Sequence, residues 1–291
     1  MNTFSKSELT EKIIAKAKSL GATIAGVASV ESLKGSPSHQ IFPIIGTNLE
    51  NNFNFVKEGE KIDKVAWPTD ALSAIVIGVE HNEEEPALDW WDGKGTPGNR
   101  ILIKINKELS EWIENSLSIK TYKLSYFVGK GGIFLKDAAV MAGLGCIGKN
   151  NLLITPEYGP RIRFRALLLD CETEATGPIE FNPCGKCKQP CRKSCPINAF
   201  QKCVYSADEI GLSILPGING TYDRVTCSIK MKKDIDDAVM GASSVDDEQN
   251  DVREAINEFE ETDKVPSKND NKSISCVKYC RKCELACPLG M

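Results

Sequence analysis

Two cysteine motifs constrain this chain more than any other feature. The first reads CGKCKQPCRKSCP at residues 184–196, and the second reads CVKYCRKCELACP at residues 276–288. Each motif holds four cysteines and ends in Cys-Pro, and the only two histidines of the chain, His39 and His81, are distant from both in sequence. A metal site at these motifs must use thiolates almost alone, and thiolates select zinc or iron–sulfur clusters.

The spacing favours two [4Fe–4S] clusters. In two-cluster ferredoxins the cysteine before the proline ligates the other cluster, because one tight loop supplies only three inward-pointing thiolates. We therefore predict that Cys195 and Cys287 cross between the motifs. The first predicted ligand set is Cys184, Cys187, Cys191 and Cys287. The second is Cys195, Cys280, Cys283 and either Cys227 or Cys276, of which spacing alone favours Cys276 because it is closer to the motif.

One departure and one alternative accompany this prediction. Three residues separate Cys187 from Cys191, whereas the common ferredoxin spacing has two, although an extra residue can bulge outward without losing the ligand. Zinc also binds paired C-x2-C motifs, so two sites of four thiolates each are the alternative.

Basic residues crowd both motifs. They could raise the potential of a bound cluster, form a docking face for an acidic electron donor, or be ordinary solvated charge. They are Lys186, Lys188, Arg192, Lys193, Lys278, Arg281 and Lys282.

Composition narrows the class of protein further. The chain has 291 residues and a formal net charge of −4, which gives no electrostatic footprint for nucleic acid. No apolar run approaches the length of a membrane span, and the N-terminus lacks the pattern of a signal peptide. We expect a cytoplasmic protein with no membrane partner, in which the 12 cysteines stay reduced.

The pattern before residue 175 predicts an α+β body. We predict a helix that begins after Ser5 with Glu8 completing a capping box, a strand at 23–29, an irregular stretch at 31–69 and a buried strand at 70–80. Further predictions are a helix at about 100–117, another in FLKDAAVMAGLG, and two strands, NLLIT and RIRFRALLLD, joined by the turn PEYGP. The predicted organisation is a body at 1–175 and a cysteine-rich module at 176–291 with an acidic insert at about 232–270.

The segment AGLGCIGKNNLLITPEYGPRIRFRALLLD, residues 142–170, followed by the two motifs, resembles the epoxyqueuosine reductases and the reductive dehalogenases. The resemblance covers roughly residue 120 to the end. It implies a nitroreductase-like α/β sandwich that holds cobalamin beside a ferredoxin-like module with two [4Fe–4S] clusters, which feed electrons to cobalt. YDRVTC at 222–227 resembles the family segment that carries a cluster ligand, which favours Cys227 as the missing ligand and leaves Cys276 spare.

The resemblance also nominates site residues. Segment 143–150 would line the cofactor pocket, with Tyr158 as a proton donor and Arg161 as an anion holder. The pocket candidates are Gly143, Gly145, Cys146, Gly148, Lys149 and Asn150. Simpler interpretations are that the glycines end a helix and start a turn, that Cys146 is a small buried hydrophobe, and that the polar residues are ordinary turn residues.

Departures from the family limit what the resemblance implies. Ungapped registration places Gly129 where the epoxyqueuosine reductases carry a catalytic acid, unless Asp137 substitutes for it. Cys146 replaces the family's aromatic residue. The helical repeats that grip tRNA and the export signal of the dehalogenases are not expected here, so we do not expect tRNA as a partner.

Three functions follow from this reading. The first is an iron–sulfur reductase that passes low-potential electrons to cobalamin or a bound substrate. The alternative is a ferredoxin-like electron-transfer protein without cobalamin that reduces a partner enzyme or corrinoid protein, and the third is a structural zinc protein. The first two imply a low-potential donor such as ferredoxin or flavodoxin.

Overall fold

A computed structural model describes residues 4–45, 65–81, 96–126, 128–203, 206, 208, 221–242 and 279–290. Its strands are β1 (Ile24–Ser29), β2 (Ser73–Glu80), β3 (Thr121–Tyr122), β4 (Cys146–Ile147), β5 (Leu153–Ile154) and β6 (Ile162–Leu169). Its helices are α1 (Lys6–Ser19), α2 (Val30–Lys34), α3 (Pro37–Ile45), α4 (Pro97–Leu117), α5 (Leu135–Met141), α6 (Pro190–Lys193), α7 (Arg224–Ala242) and α8 (Lys282–Leu285).

The body is built on a four-stranded sheet with the order β1-β2-β6-β3, and every pairing in it is antiparallel. Strand β2 is buried on both faces, so alternate side chains enter different cores. Ile75 and Ile77 pack in the core that α1 and α4 cover, whereas Ala74 and Val76 pack in the core that α2 and α5 cover. The fold is therefore a mixed α/β arrangement with helices on both faces of an antiparallel sheet.

Several predicted elements are confirmed. The Ser5 side chain caps α1 and Glu8 completes the capping box, as the sequence indicates. The strand at 23–29, the buried strand within 70–80, the helix near 100–117 and the helix in FLKDAAVMAGLG all occur. Helix α4 buries Leu102 in the core and leaves Ile101 37% exposed.

The prediction of an irregular stretch at 31–69 is wrong for its first part. The Ser29 side chain accepts a hydrogen bond from Ser32 N–H and so starts α2. Helix α3 begins at Pro37 and contains Pro43. Proline is favoured in the first turn of a helix, so Pro37 is a start signal rather than a breaker. Residues 46–64 lie outside the described residues.

The two strands around PEYGP belong to different sheets. Residues 155 and 159 form a bridge across the turn, but β5 pairs with β4, and β6 lies in the main sheet. Beyond the turn, Thr176 still hydrogen-bonds the backbone of Val27 in β1, so the chain stays with the body to at least that point. Among the described residues, no helix combines the length and apolar character that a membrane crossing needs.

Candidate functional site

The first predicted ligand set lines one cavity. Cys184, Cys187, Cys191 and Cys287 all contribute to the wall of a space of about 330 Å³. Burial raises the pKa of Cys191, and the nearby thiols of Cys287, Cys184 and Cys187 raise it further. The structure thus brings three thiols of the first motif together with one from the second.

The second predicted set also converges. Burial raises the pKa of Cys283, and Cys227, Cys280 and Cys195 are among the charges that raise it further. Burial also raises the pKa of Cys227, and the charges of Cys280 and Cys195 add to this. Cys276, the competing candidate, lies outside the described residues. Among the described residues, Cys195 and Cys287 therefore each lie with the opposite motif, as the crossing pattern predicts for a pair of clusters.

Short helices and caps hold these thiols in place. Helix α6 carries Cys191, and the Ser194 hydroxyl donates to both the Cys191 and the Lys282 carbonyl oxygens, which ties the first motif to α8. Cys227 lies in the first turn of α7, whose N-terminus is capped by Asp223 through Thr226 N–H at 2.9 Å. The Cys280 N–H donates to Asp234 Oδ2, which docks the second motif on the same helix.

The eight thiols of the two groups repel each other once they are ionised. None of the eight forms a disulfide. Crowded thiolates disfavour each other's charge, and a bound cation removes that penalty. In the described part of the chain, no three His, Cys, Asp or Glu side chains are close enough to share one metal ion.

Segment 143–150 lies against the cysteine groups. Lys149 and Asn150 line the same cavity as the first group. The Asn150 side chain is buried, and its amide donates to the Cys283 carbonyl at 3.4 Å, so it contacts the second group too. Burial raises the pKa of Cys146 to about 11, and the charge of Cys184 adds to this. Residues expected at a cobalamin pocket therefore border the candidate metal centres.

The glycines of this segment are explained by the chain's own backbone. A Cβ at Gly145, whose φ is +155°, would lie 2.1 Å from the Ile154 carbonyl oxygen. A Cβ at Gly143 would lie 2.5 Å from the Thr176 carbonyl oxygen, and one at Gly148 would lie 2.6 Å from the Ile154 side chain. These contacts match the punctuation interpretation, and a role in approaching a flat ring stays a prediction.

Tyr158 and Arg161 contact residues 289–290, the tail that follows the second motif. Arg161 is only 1% exposed, and its Nη1 donates to the Leu289 carbonyl at 2.9 Å. Its charge acts to lower the pKa of Cys287, against the larger effect of burial. Tyr158 is half-buried, burial raises its pKa, and its carbonyl approaches Gly290 closely. Their catalytic roles stay predictions, and the observed contacts are with the segment that carries Cys287.

Asp137 is held by a structural contact. It is buried, and its two carboxylate oxygens accept hydrogen bonds from the Ser38 N–H and the Ser38 hydroxyl, at 2.8 and 2.6 Å. This arrangement caps the N-terminus of α3. Gly129, at the position of the family's acid, lies in the 3₁₀ turn Val128–Lys130. With both oxygens so engaged, Asp137 has an evident role other than proton donation.

Sequence reasoning missed two polar contacts beside the cysteines. Arg281 donates a hydrogen bond to Glu284, and its Nη2 lies 2.8 Å from His81 Nδ1. All three side chains are buried. The i,i+3 spacing of Arg281 and Glu284 could have predicted their ion pair. The contact with His81 could not be predicted, because His81 is 200 residues away in sequence. Lys136 donates to the Asn151 carbonyl, and burial lowers its pKa to about 7, with Cys227 and Cys283 among the charges that oppose this.

Fold and site together define a mixed α/β protein with two groups of four thiols. No family model matches the chain. An epoxyqueuosine reductase of Gloeobacter violaceus is 28% identical over 195 residues, which cover 65% of this chain and 60% of that protein. One from Synechocystis sp. is 30% identical over 209 residues, 66% of this chain and 70% of that protein. A tetrachloroethene reductive dehalogenase of Desulfitobacterium hafniense is 26% identical over 226 residues, 68% of this chain and 39% of that protein.

This chain belongs to the family of epoxyqueuosine reductases and is also similar to a reductive dehalogenase, and it spans only part of the length of these relatives. A solved selenomethionine-labelled epoxyqueuosine reductase has a TM-score of 0.59 at 18% identity, over 98% of this chain and 66% of that one. Another, with a tRNA-Tyr epoxyqueuosine-modified stem loop, has a TM-score of 0.53 at 20% identity, over 75% of this chain and 56% of that one. Both support the fold.

Proposed function

We propose that this chain is an iron–sulfur reductase that passes low-potential electrons through two [4Fe–4S] clusters to cobalamin or a bound substrate. The observation that carries the proposal is the convergence of eight thiols, from both motifs and α7, into two groups of four. Membership of a reductase family supports the same activity class. The proposed organisation is a nitroreductase-like body, 1–175, followed by a ferredoxin-like module, 176–291.

The donor set fits two clusters. Each group offers four thiols, which is the ligand number of a [4Fe–4S] cluster, and a cluster supplies reversible one-electron storage at low potential when bound. The chain's own residues orient the ligands through the Ser194 and Asp223 contacts. Nearby cations, with Arg161 beside Cys287, favour the more reduced and more negative state.

The described residues give no comparable support for cobalamin. The chain's own atoms occupy the space next to the glycines of segment 143–150. Lys149 and Asn150 border the first thiol group. We therefore assign no step to cobalamin. Gly129 in place of an acid favours the second candidate, an electron-transfer protein without cobalamin that reduces a partner enzyme or corrinoid protein.

Reconstitution separates these two functions. Anaerobically purified protein is incubated with cobalamin, desalted and analysed for cobalt and iron. Cobalt retained together with iron would support the reductase. Iron without cobalt would favour the electron carrier.

The cytoplasm is the proposed location, because thiols stay reduced there. We also propose that tRNA is not a partner, in view of the net charge of −4, although a solved family member carries a tRNA stem loop. Tight binding of such a stem loop in a filter or polarisation assay would refute this part.

The fourth ligand of the second group yields a direct mutational prediction. Cys227→Ser should lose about half of the bound iron, because one cluster loses a ligand. Cys276→Ser is the matched control and should keep the full content. Iron and acid-labile sulfide per chain are the measurements, and the reverse pattern would show that Cys276 is the ligand.

A further inference from the structure

Exposed lysines flank the cysteines of both motifs in sequence. Residues 184–203 contain five basic and no acidic residues, although the chain as a whole carries a net charge of −4. Four lysines of the two motifs are exposed, and each lies within two residues of a cysteine of the two groups. They are Lys186, Lys188, Lys193 and Lys282. Within the described part of the chain, no ion pair neutralises any of them.

The arginines of the same segments are used internally. Arg192 donates to Thr221 Oγ1 and to the Phe200 carbonyl, and Arg281 pairs with the buried Glu284. The charge left at the surface therefore belongs to lysine. Leu285, three residues after Lys282 on α8, is 47% exposed and adds an apolar contact beside it.

These lysines lie on connected elements. The Lys282 carbonyl accepts a hydrogen bond from the Ser194 hydroxyl. This contact places Lys282 next to the end of α6 and its last residue, Lys193. Lys186 lines the cavity of the first thiol group together with Pro288, and both residues are exposed. The first candidate cluster thus lies close beneath this surface. We call Lys186, Lys188, Lys193, Lys282 and Leu285 the lysine face.

We infer that the lysine face docks a small acidic protein that delivers electrons one at a time to the clusters; this rests on the proposed function. Lysines around an apolar contact provide steering and charge complementarity for an acidic surface. Nucleic acid fits less well, because bidentate recognition of phosphates and bases relies on arginine, and Arg192 and Arg281 are occupied. In the transfer, the donor is oxidised by one electron and one cluster is reduced by one electron, with no bond made or broken.

The test uses the anaerobically purified holoprotein and reduced flavodoxin as the donor. The variant K188E/K193E/K282E reverses the face, and K12E/K18E/K104E makes the same charge change on exposed lysines of α1 and α4. Stopped-flow absorbance of the flavin gives the bimolecular rate constant at several ionic strengths. Iron content and the extent of reduction by dithionite are measured for every protein.

We expect the face variant to react about tenfold or more slowly at low ionic strength, and the control to change by less than about twofold. The difference should shrink as salt rises, because screening removes steering. Equal rate constants for both variants, or an iron-containing wild type that dithionite reduces but flavodoxin does not, would overturn the inference while leaving the clusters intact.

Two further outcomes would also overturn it. A face variant with an unchanged flavodoxin rate but weakened binding of a tRNA stem loop would assign the face to RNA. A change of oligomeric state with an unchanged rate would assign it to a second copy of this chain. An iron-free wild type would instead refute the proposed function itself.

Discussion

At the scale of single residues, Arg161 connects the body to the candidate metal centre. It is a buried cation whose Nη1 binds the tail carbonyl of Leu289, two residues after Cys287. A fixed positive charge at this point stabilises negative charge that a cluster gains on reduction. This role explains a buried arginine in a turn without assigning it to substrate.

Replacing Arg161 should change the first cluster's potential. We predict that Arg161→Gln lowers its midpoint potential by on the order of tens of millivolts, because a nearby cation is lost. Arg161→Lys keeps the charge and should stay closer to wild type. Redox titration followed by electron paramagnetic resonance measures both. Equal potentials in the two variants would mean that the arginine only positions the tail.

Gly145 offers a second test at this scale. Gly145→Ala should lower the free energy of unfolding by more than about 2 kcal/mol, because its Cβ would meet the Ile154 carbonyl at 2.1 Å in a strained conformation. Gly35→Ala is the control, since a Cβ there meets only ordinary contacts at 3.7 Å. Denaturant titration of both variants checks this. Equal stabilities would contradict the packing of β4 on β5.

At the scale of elements, the contact between α3 and α5 shows what local pattern cannot supply. Asp137 of α5 caps α3 through Ser38, and the His39 Nε2 accepts the Phe134 N–H at 3.2 Å. With Nε2 accepting, the proton of a neutral ring lies on Nδ1, which donates to Ser36 at 2.7 Å. These residues are about 100 positions apart in sequence, so neither pattern nor propensity could pair them.

His39 should make stability depend on pH. Burial lowers its pKa from 6.5 to about 4, and the charge of Asp137 only partly opposes this. Below pH 6.5 the unfolded chain binds a proton that the folded ring refuses, so stability falls as pH drops from 6.5 towards 4, by up to about 3 kcal/mol. His39→Gln should remove this part of the pH dependence of the free energy of unfolding. The same slope in wild type and variant would contradict a buried neutral ring.

At the scale of the whole molecule, sequence patterns within a few residues predicted more of the structure than patterns that involve distant segments. The Ser5–Glu8 capping box and the apolar run of β2 are encoded within a few residues, and both occur as predicted. The spacing of the two cysteine motifs predicted seven of the eight thiols that converge here, and the family resemblance favoured Cys227 as the eighth. The pairing of β5 with β4 and the Arg281–His81 contact depend on how distant segments pack, which one sequence does not show.

The central claim is that one chain holds two four-iron clusters. The most direct measurement is metal analysis of anaerobically purified protein, combined with electron paramagnetic resonance of the reduced state. We predict about eight iron atoms per chain, four for each group of thiols, and the signal of two interacting reduced clusters. About two zinc atoms per chain with no iron would contradict the account and show two four-thiolate zinc sites instead.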